Sequence, residues 1–310
     1  MSVIGFDTSN YTTSIACFDG VSGVNESKLL PVKLGELGLR QSDAVFSHIK
    51  SLPELSGRLF CHVNRRDIQA VAVSTRPRAV TGSYMPCFLV GYSHAKLLAQ
   101  SLNVPLYEVS HQQGHVAAAL WSVDRLDLLD KTHLAWHLSG GTTELLLVEP
   151  DGRNVKCTKI GGTTDISAGQ LIDRTAQLLG LPFPGGKHLD LLSAESDSTD
   201  AFKVKCHGLE FSLSGVENKI QQYYGKTGDC AATAAYALGS VSHAVLTVTK
   251  NVLAQYPGLE IVFSGGVASN TMLRQRLKPW NPVFAQPQYS TDNAMGVAVL
   301  GHRMTEGYHG

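Results

Sequence analysis

His111 and His115 stand four residues apart in the run Ser-His-Gln-Gln-Gly-His-Val-Ala-Ala-Ala-Leu, residues 110–120. The apolar stretch Val104–Val109 ahead of them reads as a short strand. The run itself favours a helix, with Ser110 placed to cap the first turn. Residues at i and i+4 of a helix share one face, with Cβ atoms roughly 5–6 Å apart. Two imidazoles at that spacing can share one metal ion. A third, oxygen ligand would complete such a site, and the best candidate is Asp292 in Ser-Thr-Asp-Asn-Ala-Met-Gly, residues 290–296. Spacing alone leaves a second reading open: two partly buried histidines whose ring nitrogens are hydrogen-bonded.

Three glycine- or hydroxyl-rich turns carry the next signal. Ile4–Phe18 holds Asp7-Thr8-Ser9-Asn10 between two apolar runs and reads as a β-hairpin. Leu134–Val148 repeats the pattern around Ser139-Gly140-Gly141-Thr142. Ile261–Asn270 leads from a strand through Ser264-Gly265-Gly266 into a helical stretch, Thr271–Leu277. Neither hairpin turn opens a helix, which excludes a Walker or dinucleotide fingerprint. Two similar hairpins, one opening each half, point to a duplicated α/β domain with a nucleotide cleft between the copies. Backbone N–H groups and hydroxyls of such turns can cradle phosphate oxygens. Asp7 is placed to hold a metal-bound phosphate or to orient a water.

Helices are expected over Phe88–Leu102, Ser167–Leu179 and Ala231–Gln255. The weakly periodic stretch Ser22–Leu59, with Gly35, Gly38 and His48, reads as a loop followed by a helix bordering the cleft. The expected division is a first domain over 1–125 and a second over 126–293, with the last helix, 294–310, returning to the first. A length of 310 residues with 43% apolar and 17% charged residues suits a well-cored chain of two domains. Lys plus Arg equal Asp plus Glu at 26 each, so any nucleic-acid footprint must be a local patch. The six cysteines are scattered without paired spacing and suggest neither disulfides nor a cysteine zinc site. No signal peptide or membrane span is read, so the expected setting is cytoplasmic.

Taken together, the motifs resemble the TsaD (Gcp) family. The resemblance rests on Asp7-Thr8-Ser9, Gly91–Lys96, Pro105–His115, Leu138–Leu145, Gly169 with Asp173, Leu179–Gly186, Phe211–Gly215, Ser264–Asn270 and Thr291–Ala294, and covers nearly the whole chain. It implies an α/β protein of the ASKHA (actin/Hsp70-like) fold, two duplicated domains with a nucleotide- and metal-binding cleft. It implies transfer of a threonylcarbamoyl group from an adenylate to N6 of a tRNA adenosine. Carried over by position, His111, His115 and Asp292 are the metal ligands. Ser139, Gly140, Gly141 and Thr142 face the phosphate and acyl end, Asp173 and Gly186 the ribose and adenine, and Gly266 and Asn270 the adenosine. Asp7, Ser9 and Gly140 are the expected catalytic positions. The implied cofactors are one divalent metal, Fe or Zn, and an adenine nucleotide (ATP, AMP or the acyl-adenylate). The implied partners are tRNA, with TsaB-like and TsaE-like proteins or a second copy, and no membrane.

The chain departs from the family pattern at four places. Gln113 replaces an acid in the histidine motif, and Thr142 replaces His or Asn in the Ser-Gly-Gly turn. Arg76-Pro77-Arg78 replaces a Gly-Pro-Gly loop, and Leu39–Ala44 departs from Pro-Glu-Leu-Ala. Two arginines for two glycines add bulk and fixed charge where backbone should approach closely. The pattern is that of a divergent paralogue, a transferase with tRNA or an altered acceptor. The alternative is a nucleotide-binding regulatory or scaffold subunit. A zinc peptidase is excluded because Gln112 stands where the catalytic Glu of His-Glu-x-x-His belongs. The histidine pair speaks against a sugar or acetate kinase.

Overall fold

The computed structural model describes residues 1–9, 11–31 and 39–306. Asn10 of the first turn, Gly35 and Gly38 of the expected loop and residues 307–310 of the expected last helix lie outside the described residues. The chain divides into two compact units. The described residues of Met1–Thr132, Glu149–Cys157 and Asp292–Gly310 form the first, and His133–Val148 with Thr158–Thr291 form the second.

The first unit opens with the strands β1 (Ser2–Asp7), β2 (Thr12–Phe18) and β3 (Gly23–Leu29), then helix α1 (Gln41–Leu59). β4 (Ile68–Arg76), α2 (Phe88–Leu102), β5 (Leu106–Ser110) and α3 (His111–Trp121) come next. The sheet order is β3-β2-β1-β4-β5. β1 to β3 form an antiparallel meander, while β1, β4 and β5 run parallel. The central strand β1 is buried on both faces from Val3 to Asp7, which is why it reads as an unbroken apolar run rather than an alternating one. Gly23–Leu29 corrects the expected loop. This edge strand pairs with β2 along its whole length, from Thr12↔Leu29 to Phe18↔Gly23. Its Glu26 and Lys28 lie on an exposed edge, where charges discourage further pairing and hide the strand signal.

The second unit holds β6 (His133–Leu138), β7 (Thr143–Asp151), β8 (Asn154–Thr163), α4 (Ala168–Leu178) and α5 (Gly186–Ser193). β9 (Cys206–His207), β10 (Glu210–Phe211), α6 (Ser214–Thr227), α7 (Cys230–Gln255), β11 (Ile261–Ser264), α8 (Thr271–Leu277) and β12 (Val283–Phe284) complete it. Its sheet order is β12-β11-β6-β7-β8-β10-β9. The core gathers Trp136, Phe211 and Phe263 with the apolar face of α7. α7 is long and apolar enough to cross a membrane, yet 72% of its most apolar window is buried in this core. The helices expected over Phe88–Leu102, Ser167–Leu179 and Ala231–Gln255 occur within a residue of those bounds, and each expected hairpin is present.

The last helix, α9 (Met295–Glu306), packs in the first unit against β1, β4 and α3. Gly296 makes this possible: a Cβ there would collide with the Gly114 carbonyl oxygen and lie 2.6 Å from the Ala118 nitrogen. α3 and α9 therefore meet backbone to backbone, which sets the distance between the two elements that flank the candidate site.

Candidate functional site

α3 is fixed at its start by a capping box. The Ser110 hydroxyl accepts from the Gln113 N–H at 3.3 Å, and the Ser110 N–H donates to Gln113 Oε1 at 2.8 Å. The other end of the same amide, Gln113 Nε2, donates to the Val155 carbonyl at 2.6 Å. A glutamate at this position would set carboxylate against carbonyl, so the amide here is matched to its neighbour.

With α3 so anchored, His111 and His115 project together, their Nε2 atoms 2.9 Å apart and their rings nearly perpendicular at 78°. Asp292, three residues before α9, places Oδ1 3.2 Å from His115 Nε2 and 3.5 Å from His111 Nε2. One ligand atom from each of the three lies within 4.8 Å of the other two. Two imidazole nitrogens facing each other at hydrogen-bond distance need a proton or a cation between them. Two nitrogens and one oxygen form a donor set that suits Zn²⁺ or Fe²⁺, so the residues present fit a divalent metal.

Asp7 has a position that sequence reasoning did not foresee. Its carboxylate, 1% exposed, accepts from His111 Nδ1 at 2.8 Å, the Ser74 hydroxyl at 2.7 Å and the Ser9 N–H at 3.1 Å. The carboxylate thus grips the nitrogen of His111 that faces away from His115, the arrangement that fixes the tautomer and orientation of a ligating imidazole. The Ser9 hydroxyl reaches the same carboxylate at 3.4 Å. Thr8, between them, ties the turn to α2 by donating to the Cys87 carbonyl at 2.9 Å and accepting the Gly91 N–H at 3.0 Å. Ser74 carried no motif in the sequence; only the parallel pairing of β1 with β4 brings it to Asp7.

The charges are set by this packing. Burial depresses His111, but the charges and hydrogen bonds of Asp7 and Asp292 outweigh it and push its pKa up to about 10. His115 moves the other way, lowered by burial and by the charge on His111. Burial opposes ionisation of Asp292, yet the hydrogen bonds from His111 and His115 hold it well below the usual carboxylate range.

His48 on α1 is the second residue missed. Its side chain is fully buried, its Nδ1 lies 2.8 Å from the Thr13 hydroxyl, and its Nε2 has no partner among the described residues. Burial holds its pKa down at about 4, against the charges of Asp7 and Asp292. The pH dependence has a definite sign. An unfolded histidine titrates near 6.5, so between there and about 4 the unfolded state binds more protons. Stability should fall as pH drops through that window, by about 3 kcal/mol in all at roughly 1.4 kcal/mol per pKa unit. Urea unfolding from pH 7 to 4 checks this: a His48→Gln chain should lose part of the slope, and parallel curves would refute the assignment.

The Arg76-Pro77-Arg78 loop lies against the first turn of α3, where the Gln112 N–H donates to the Pro77 carbonyl at 3.0 Å. Arg76 is half-buried, and its guanidinium donates to its neighbour, Thr75 Oγ1, at 3.2 Å. It forms no ion pair among the described residues. The Arg78 N–H is held by the Ser83 hydroxyl at 3.0 Å.

In the second unit, β6 and β11 are parallel neighbours, so the turns that leave them emerge at one end of the sheet. Ser139 closes the first turn, accepting from the Thr142 N–H at 3.1 Å and donating its own N–H to Thr142 O at 2.8 Å. Gly140 packs under Gly169 of α4, and its carbonyl accepts from the Ser167 hydroxyl at 2.6 Å. Gly265, at φ +91°, presses against the Leu138 carbonyl, a conformation and an approach that exclude a side chain. Gly140, Gly141, Gly186 and Gly266 instead face open space. Asp173 accepts from the Gly185 N–H at 2.8 Å, and burial raises its carboxyl pKa. Asn270 is occupied by the fold: its Oδ1 caps α8 through the Leu273 N–H at 2.9 Å, and its Nδ2 donates to Asp190 at 2.6 Å. The sequence-derived residues thus gather into two groups, His111, His115, Asp292, Asp7 and Ser9 in the first unit and the remainder in the second.

Solved structures of low sequence identity share this architecture. HypF from T. kodakarensis aligns with a TM-score of 0.62 at 14% identity, over 99% of this chain and 48% of its own. A ROK-family glucokinase from Streptomyces griseus aligns with a TM-score of 0.55 at 11% identity, over 98% of this chain and 100% of its own. The fold is that of the ASKHA class. Sequence comparison is more specific. The family described as TsaD, tRNA N6-adenosine threonylcarbamoyltransferase, matches residues 42–299. The tRNA N6-adenosine threonylcarbamoyltransferase of Thermus thermophilus is 35% identical over 98% of this chain and 93% of its own length. That of Christiangramia forsetii is 29% identical over 78% and 74%. The chain belongs to the TsaD family.

Proposed function

We propose that this chain transfers a threonylcarbamoyl group from its adenylate to N6 of a tRNA adenosine, with one divalent metal held by His111, His115 and Asp292. The observation that supports the metal is the convergence of three ligand atoms backed by a buried carboxylate, Asp7. A divalent ion at these residues would act as a Lewis acid toward the substrate's acyl or phosphate oxygens. Asp7 holds the His111 ring in one orientation and keeps Nε2 turned toward His115 and Asp292. The open faces of Gly140, Gly141 and Gly266 leave room for a phosphate or carbonyl oxygen to reach backbone N–H groups, which can stabilise an oxyanion developing on the carbamoyl carbon. Ser139 and Thr142 shape that turn, while Asp173 and Gly186 suit the ribose and adenine of the nucleotide. The balance of the step is simple: N6 forms a bond to the carbamoyl carbon, AMP departs, and N6 gives up one proton.

Arg76 favours a second reading, in which the chain is a paralogue diverted from tRNA or a nucleotide-binding subunit. A half-buried guanidinium with no ion pair among the described residues is suited to a carboxylate or phosphate on a ligand. One experiment separates the two. The chain is supplied with threonylcarbamoyl-adenylate, tRNA and TsaB-like and TsaE-like proteins, and the nucleosides are analysed by mass spectrometry. The diverted paralogue predicts low turnover that rises on Arg76→Gly/Arg78→Gly. Robust turnover unchanged by that double substitution would refute it and leave the transferase reading standing.

A further inference from the structure

The second unit carries a cationic face built from residues that no motif above assigns to the site. Residues 200–203 lie along the middle of α7: the Phe202 N–H donates to the Ser240 hydroxyl at 2.8 Å, and a Cβ on Gly239 would lie 3.0 Å from the Ala201 Cβ. This sets the exposed Lys203 beside His243. From α8, Arg276 reaches the same turn and donates to the Gly239 carbonyl at 3.2 Å. Two turns further along α7, the exposed Lys250 holds its ammonium 5.4 Å from the centre of the Trp280 ring. The exposed Lys278 stands two residues before that tryptophan.

Two observations give this cluster the character of an anion site. First, none of Lys203, Lys250, Arg276 and Lys278 takes part in an ion pair among the described residues. Other lysines such as Lys50 and Lys156 also form no ion pair among the described residues, so what distinguishes these four is that they gather around one stretch of α7, where Lys203, Lys250 and Arg276 all act on His243. Second, His243 Nδ1 is buried with no hydrogen-bond partner among the described residues. Burial lowers the pKa of His243, and the charged groups that add to the effect, Lys203, Arg276 and Lys250, are all cations. The charges that act on His243 are thus positive although the chain as a whole carries no net charge, and the acid of the 200–203 segment, Asp200, is taken up by the Tyr223 hydroxyl at 3.2 Å.

We propose that the face formed by Lys203, His243, Lys250, Arg276, Lys278 and Trp280 docks the phosphate backbone of the RNA substrate. The proposal rests on the transferase reading for its choice of RNA over another polyanion. Cations without acidic partners are the footprint of phosphate contact. The ammonium of Lys250, held over the Trp280 ring, adds a fixed position along the backbone.

The test is fluorescence anisotropy of the full chain with an unmodified tRNA transcript and with a fully paired RNA hairpin that offers no acceptor adenosine. Lys203→Gln/Lys250→Gln removes two exposed charges and, of the contacts described, only the one between Lys250 and the Trp280 ring. Lys50→Gln, an exposed lysine on α1, serves as control. The double variant should bind both RNAs roughly tenfold more weakly, and its slope of log affinity against log salt should flatten by about 2, near one per lost phosphate contact. The control should behave as the unmodified chain. An unchanged affinity and slope in the double variant, or an equal loss in the control, would overturn the proposal. So would binding of polyglutamate in place of RNA. RNA bound through this face by a chain that transfers nothing would support the docking surface while removing the transferase reading.

Discussion

Replacing His115 with alanine should empty the centre of metal and abolish transfer, whereas Asp7→Asn should only weaken it. Elemental analysis of the purified chains and titration with Zn²⁺ and Fe²⁺ would measure both. The ranking comes from position. His115 would supply Nε2 directly, an atom 2.9 Å from His111 Nε2 and 3.2 Å from Asp292 Oδ1, so its loss would leave one imidazole and one carboxylate. Two ligands do not hold a divalent ion against dilution. Asp7 stands behind His111, and outer partners of this kind typically account for about 10–100-fold in affinity. Asparagine keeps the shape but loses the charge that holds His111 Nδ1 in place. If Asp7→Asn were as empty as His115→Ala, Asp7 would itself be a ligand. If His115→Ala kept its metal at full stoichiometry, the pair would be no more than two hydrogen-bonded core histidines.

The parts of this centre differ in how far the sequence disclosed them. His111 and His115 are a local signal, since helical periodicity and the Ser110 cap put both on one face whatever the rest of the chain does. Asp292 lies 177 residues from His115, and resemblance to a family suggested it where no local pattern could. The role of Asp7 toward His111 depends on a contact across 104 residues, so the sequence showed an acid in a turn but not its partner. His48 and Ser74 were illegible for the same reason: each is an ordinary residue in its own element and acquires meaning from a neighbouring strand. Gln113 shows the reverse case. Its replacement of an acid stood among the departures from the family pattern, yet its amide both closes the capping box and donates to the Val155 carbonyl. The strand Gly23–Leu29 escaped notice because an exposed edge needs little apolar alternation.

Gly296→Ala should destabilise the chain and weaken the proposed metal binding together, though it touches none of His111, His115 and Asp292. The added methyl would run into the Gly114 carbonyl oxygen and come within 2.6 Å of the Ala118 nitrogen and 2.8 Å of the Gly114 carbonyl carbon. All three are backbone atoms of α3, so no side chain can turn aside to make room. Overpacking of this kind costs about 1–3 kcal/mol, and backbone obstacles put it at the upper end. α9 must move away from α3, and Asp292 lies only four residues ahead of Gly296. Its Oδ1 reaches His115 Nε2 at 3.2 Å, so a shift of an ångström in that segment opens the donor set. The expected result is a lower Tm without added metal and a weaker metal affinity at temperatures where the variant is folded. Gly57→Ala, on an open face of α1 where no described atom lies within 4 Å of the new methyl, should leave metal affinity unchanged and Tm no lower, since alanine favours the helix. A Gly296→Ala chain with the parental Tm and metal affinity would mean that α3 and α9 are not held at this separation, and the geometry that unites His111, His115 and Asp292 would then need another cause.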